Sequence, residues 1–208
     1  MKRLAVLLSG RGSNFTAIHE AVRSGAIDAE IVAVVSNRPG AAGIVRAKQE
    51  GYEAFEIDHK RFPSREAHEE EILAVLRSRR VDLIALAGYM RTLSSTFVGA
   101  YRDRIVNIHP SLLPAFPGVG AQAQAIVYGA RVSGCTVHLV DESLDGGPVL
   151  VQRAVAVEEA DTEETLSARI LVEEHKAYVE ALQLLCSRSY RVEGRKVIFE
   201  AEKKPATS

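Results

Sequence analysis

Short apolar runs alternate along this chain with stretches in which apolar side chains return every three or four positions. The first pattern fits a strand buried on both faces, the second a helix with one buried stripe. Leu4 to Leu8 reads as the first strand. After the loop Gly10 to Asn14, Phe15, Ile18 and Val22 predict a helix that Gly25 stops. Ile31 to Val35 predicts a second strand, Ala41 to Gln49 a helix ended by Gly51, and Ala54 to Ile57 a third strand. The next helix begins after Pro63 and Ser64, buries Ile72, Leu73 and Leu76, and ends in the cations Arg77, Arg79 and Arg80, where a helix C-terminus favours positive charge. Val81 to Ala87, apolar apart from Asp82, has strand length and belongs at the sheet centre.

The second half starts with the strand Ile105 to His109, then a proline-rich loop and a helix-like stretch ending near Gly129. Strands follow near Thr136 to Val140 and Val149 to Val157. A long helix opens at Asp161 and Glu164, a capping-box-like pair, and turns Leu166, Ile170, Ala177, Ala181 and Leu184 inward. Arg191 to Glu200 has the pattern of a small hairpin. Strands that alternate with helices predict an α/β fold: a Rossmann-like, predominantly parallel twisted sheet of about seven strands with helices on both faces.

Composition narrows the function classes. The chain has 208 residues, with no repeat, linker or low-complexity block, so a single domain over 1–200 and a frayed polar tail over 201–208 are expected. Lys+Arg 26 against Asp+Glu 27 gives a net charge of -1, which supplies no drive toward nucleic acid or an anionic membrane. No apolar stretch approaches the roughly 18 residues of a membrane-spanning helix. Lys2 and Arg3 precede a short apolar run that meets a Gly/Ser loop, which predicts a strand rather than a signal peptide. Cys135 and Cys186 form neither a C-x-x-C pair nor a metal spacing, which points to buried thiols and a cytoplasmic setting.

Three segments carry candidate chemistry. Gly10, Gly12, Ser13 and Asn14 lie between a strand and a helix, where backbone N–H groups suit a phosphate. The alternative there is a tight turn with Ser13 capping the helix. In Asn107-Ile108-His109-Pro110, strand alternation sends the amide and the imidazole to one face, and Pro110 ends the strand there. That places both at a strand's carboxyl end, where open α/β sheets bind ligands. Asp145 precedes Gly146, Gly147 and Pro148; by itself it is a turn aspartate, but beside His109 it would orient the ring and favour positive charge on it. The other histidines, His19, His59, His68, His138 and His175, lack metal spacing and read as surface or structural, so no metal is expected. Arg65 and Arg91 are possible anion contacts, and Glu173 and Glu174 a solvated helix face.

The segments LLSGRGSN, VVSNRPGA, LAGYMRTLS, RIVNIHPSLLPAFPG and VHLVDESLDGGPVLVQ, spread over nearly the whole chain, resemble the glycinamide ribonucleotide formyltransferases of purine biosynthesis. The resemblance implies the formyltransferase fold and transfer of a formyl group from 10-formyltetrahydrofolate, a co-substrate, to the ribonucleotide amine. It implies Asn107, His109 and Asp145 as the catalytic trio, Gly12, Ser13, Asn14 and Glu174 as ribonucleotide contacts, and Arg65, Met90, Arg91, Thr92, Leu93, Asn107, Val140 and Asp141 as the folate site. Small-molecule substrates, with no nucleic acid or membrane partner, and a monomer or homodimer complete that picture. Two positions depart from the family pattern: Gly120 stands where a His or Asn is usual, beside the less polar Gln122 and Ala123, and Leu171 replaces a Gln. Both bear on substrate affinity and leave the trio intact. The competing expectations are a formyltetrahydrofolate hydrolase or an initiator-tRNA formyltransferase, which resemble this chain with an added domain, and a non-catalytic folate or nucleotide binder.

Overall fold

The computed structural model of the chain describes residues 1–200; the expected frayed tail, 201–208, lies outside the described residues. The first half is β1 (Lys2–Leu8), α1 (Ser13–Arg23), β2 (Ala29–Ser36), α2 (Ala42–Gln49), β3 (Ala54–Glu56), α3 (Arg65–Ser78) and β4 (Leu83–Leu86). Then come α4 (Ser95–Ala100), β5 (Ile105–His109), α5 (Ala121–Tyr128), β6 (Val132–Leu139), β7 (Val149–Ala156), α6 (Glu163–Ser187), β8 (Tyr190–Glu193) and β9 (Lys196–Phe199).

All of these strands join one sheet, in the order β3-β2-β1-β4-β5-β6-β7-β9-β8. The sheet is parallel from β3 to β5, and β6 and β7 then run antiparallel. The sheet has nine strands rather than about seven, because the C-terminal hairpin docks on β7 through Val149 and Lys196 instead of standing apart. Helices cover both faces. Leu4, Val6 and Leu8 of β1 pack with Phe15 and Ile18 of α1 and the inner stripe of α6, whereas Ala5 and Leu7 face Ile72, Leu73 and Leu76 of α3. Burying side chains as large as Phe15 or Ile18 is worth about 1.5–3 kcal/mol each, so this double-sided burial holds β1 in the middle of the core.

Two local readings are corrected, and one helix, α4, goes beyond what the sequence pattern predicts. Ser13 does not cap α1: Gly12, in the left-handed region at φ 77°, occupies the cap position, and its lack of a side chain leaves the helix without a side-chain cap. Thr162 and Thr165, not Asp161 and Glu164, form the reciprocal capping box of α6. Asp161 instead grips Arg169 with two 2.8 Å hydrogen bonds, which hold its carboxyl well below the usual range. The short α4 has too few turns to show a period; Ser94 caps it by accepting from Phe97 N–H at 3.2 Å.

The chain switches direction across the sheet between β1 and β4, and their carboxyl ends open a crevice at that point. Tyr178 of α6 is fully buried and its hydroxyl reaches the carbonyls of Leu86 and Val106, both at 3.0 Å, which pins α6 across β4 and β5. Glu174, one turn earlier on the same helix, is thereby carried over the crevice. Cys135 and Cys186 are both buried, and burial pushes their thiols up to about 12 and about 11. No helix among the described residues is long and apolar enough to cross a membrane.

Candidate active site

The site is built from loops at the carboxyl ends of β1, β4 and β5. After β1 the chain makes a close turn against α2. A Cβ on Gly12 would lie 2.6 Å from the Gly43 Cα, so the left-handed φ and the tight approach both require glycine at 12. Asn14, 7% exposed, donates its amide N–H to Glu174 Oε2 at 3.0 Å. Glu174 is buried rather than solvated, and desolvation raises its carboxyl above the ordinary value despite that hydrogen bond.

Ser9 and the turn after β4 exchange hydrogen bonds across the crevice. Ser9 N–H donates to Gly88 O at 3.1 Å, and Met90 N–H donates to Ser9 Oγ at 2.8 Å. The Ser9 hydroxyl in turn donates to Asn37 Oδ1 at 2.5 Å. Met90, 68% exposed, Arg91, Thr92 and Leu93 follow as an open wall. Its far end is anchored by buried Glu69, which accepts from Ser94 N–H at 3.0 Å and from the Ser94 hydroxyl.

On β5, Asn107 and His109 lie on one side, as the alternation requires, with Asn107 half-buried and His109 5% exposed. The loop beyond Pro110 folds back so that the Phe116 carbonyl accepts from His109 Nε2 at 2.9 Å and from the Ser111 hydroxyl at 3.3 Å. Asp145, itself at φ 49°, places Oδ2 3.3 Å from His109 Nδ1, and the same oxygen accepts from Gly118 N–H at 2.8 Å. The three residues of the expected trio are thus brought together. Both ring nitrogens of His109 face acceptors, an arrangement that a doubly protonated imidazole satisfies.

His138 belongs to this group, although spacing alone suggests only a structural role. It pairs directly with Asn107 across β5 and β6, and its Nε2 lies 3.4 Å from Asn107 Nδ2 and 3.9 Å from Asp145 Oδ1. No signal in the sequence reveals this, because the pairing depends on strand register. Of the remaining expected residues, Val140 is half-buried at the end of β6, and exposed Asp141 bonds Ser143 N–H at 2.9 Å. Arg65 is exposed at the start of α3 and pairs with Glu66 at 3.4 Å; nothing there links it to the trio. Gly120 leaves the start of α5 without a side-chain cap, and Leu171 is half-buried on α6. Among the described residues, no cluster of three or more His, Cys, Asp or Glu could hold a metal.

The arrangement offers an amide donor, an imidazole held by a carboxylate, and a glycine-rich helix start in one crevice. A family model described as formyl transferase matches residues 2–182. The chain is 44% identical over 193 residues to the phosphoribosylglycinamide formyltransferase of Bacillus subtilis, covering 93% of this chain and 99% of that protein. It is 50% identical over 192 residues to a trifunctional purine biosynthetic protein of Drosophila pseudoobscura, covering 91% of this chain but only 14% of that protein. The glycinamide ribonucleotide transformylase 1 structure from Symbiobacterium toebii superposes with a TM-score of 0.93 at 45% identity, covering 96% of this chain and 94% of that one.

Proposed function

The chain belongs to the formyl transferase family, and on that premise we propose that it transfers the formyl group of 10-formyltetrahydrofolate to the amine of glycinamide ribonucleotide. The observation that carries this reading is the convergence of Asn107, His109 and Asp145 in one crevice with the Gly12–Asn14 loop and Glu174. The loop N–H groups would receive the ribonucleotide phosphate and Glu174 its sugar hydroxyls. The wall Met90–Leu93, with Val140 and Asp141, would take the folate, and Arg65 its anionic end.

In the reaction the ribonucleotide nitrogen bonds the formyl carbon while the carbonyl electron pair moves onto oxygen. Asn107 Nδ2–H is the donor to that oxyanion. His109 has both nitrogens engaged by Phe116 and Asp145, so it contributes positive charge rather than a further hydrogen bond. Asp145 balances that charge. Collapse of the intermediate restores the carbonyl and breaks the bond to the folate nitrogen, which takes up the proton lost by the attacking amine through water beside His109 or Asp145. One domain over 1–200 carries all these groups, and a cytoplasmic protein using small-molecule substrates is the setting we propose.

Mixing the chain with the ribonucleotide and 10-formyltetrahydrofolate tests this directly. Formylated ribonucleotide is the expected product. Free formate without formylated amine would instead establish a hydrolase, and binding without either product a non-catalytic binder.

A further inference from the structure

The geometry points to His138 as a positioning residue that aims the Asn107 amide at the reacting carbonyl. The inference rests on the formyl-transfer reading for its kinetic consequence, but its structural content stands on this molecule's own contacts. Asn107 and His138 are cross-strand partners in an antiparallel pair, where side chains directly opposite one another touch. The register of β6 against β7 shifts between Val137 and His138, an irregularity of the kind that re-aims a side chain.

The ring's hydrogen bonds decide which end of the amide it meets. His138 Nδ1 lies 2.9 Å from the Leu139 carbonyl, which only an N–H can satisfy. Nδ1 therefore carries the proton, and a neutral ring presents a bare lone pair at Nε2. That lone pair faces Asn107 at 3.4 Å and selects its N–H₂ end over its carbonyl end. One amide hydrogen is directed at the ring, and the second remains for the oxyanion. Without the acceptor the amide could turn over and present oxygen to a negative charge.

Neutrality is part of the arrangement. His138 is 2% exposed, and desolvation pushes it below the ordinary histidine value, against the pull of Asp145 and Asp141 and with the help of His109. A proton on Nε2 would repel the amide N–H₂ and draw the Asp145 carboxylate, whose Oδ1 is 3.9 Å away, from its place beside His109. The same neutral ring thus holds Asn107 one way round and leaves the carboxylate to His109.

The test joins a spectrum to a kinetic cycle. In ¹⁵N spectra of the intact chain at neutral pH, His138 Nε2 is expected to be unprotonated and Nδ1 protonated; a proton on Nε2 would overturn the inference whatever the activity. In the cycle, His138→Phe keeps bulk but removes the acceptor, and should lower kcat by roughly tenfold to a hundredfold, the scale of a misaimed oxyanion donor, with both KM values within about twofold. His138→Gln, whose carbonyl can accept, should recover a large part of the rate and guards against a fold defect in the first variant. The double variant with Asn107→Ala should be no slower than Asn107→Ala alone. Additive losses would show that His138 does not act through Asn107. Absence of formyl transfer by the unaltered chain would sink the proposed function and leave the spectrum to decide the tautomer.

Discussion

The carboxylate of Glu174 accepts a 3.0 Å hydrogen bond from the Asn14 amide across 160 positions of sequence, with both groups buried. Burial raises the Glu174 carboxyl from 4.5, so the folded state holds a proton more tightly than the unfolded chain does. A raised acid leaves stability intact at low pH and erodes it as pH climbs from the unfolded value through the folded one. Glu174→Gln keeps the acceptor for Asn14 and removes the buried charge. At pH 7 this variant should melt at a higher temperature than the parent, and the gap should close below about pH 4. Its affinity for the ribonucleotide should fall, as measured by titration calorimetry.

Removal of the trio should act on turnover rather than on binding. Asn107→Ala or His109→Ala should each lower kcat about a hundredfold or more, by loss of preorganised stabilisation of the oxyanion. Asp145→Asn retains an acceptor for Gly118 N–H but loses the charge 3.3 Å from His109. It should give a comparable loss in kcat with little change in KM, read by steady-state kinetics. Full turnover by His109→Ala would refute the assignment.

Gly43 and Gly12 form a backbone contact that leaves no room for a side chain. A Cβ at 43 would stand 2.9 Å from Leu8 Cδ2 and 3.0 Å from Gly12 Cα. Gly43→Ala should cost about 1–3 kcal/mol, as overpacking does, measured by urea unfolding. Because the displaced backbone is the proposed phosphate loop, KM for the ribonucleotide should rise while that for the folate holds.

The alternation of runs and stripes made the parallel half of the sheet legible, since each strand from β1 to β5 is bounded by its own helix or loop signal. Asn107 and His109 could be placed on one face for the same reason. The meeting of Asp145 and His138 with them could not, because antiparallel register between β5 and β6 is a long-range choice that no local pattern encodes. Ser13 looked like a helix cap from its residue type, yet the turn at Gly12 uses a positive φ that only the tertiary approach of Gly43 explains. The C-terminal hairpin was readable as a hairpin but not as two strands of the main sheet.

Gly120 separates backbone strain from crowding. Its φ is 68°, and no atom lies within 4 Å of where a Cβ would stand. Gly120→Ala should therefore lose roughly 1–2 kcal/mol through the left-handed conformation alone. Gly120→Asn should lose less, since asparagine visits that region more readily. Equal losses in thermal unfolding would mean that strain is not what glycine relieves here.

The two buried cysteines provide an internal clock. With both thiols raised by burial, thiolate is scarce at neutral pH in the folded chain, and alkylation must wait for an opening event. Cys135 lies within β6 and Cys186 in the last turn of α6, so one reagent times two different doors. Faster labelling of Cys186 would report fraying of the helix end, and equal rates would mean that the whole molecule opens at once.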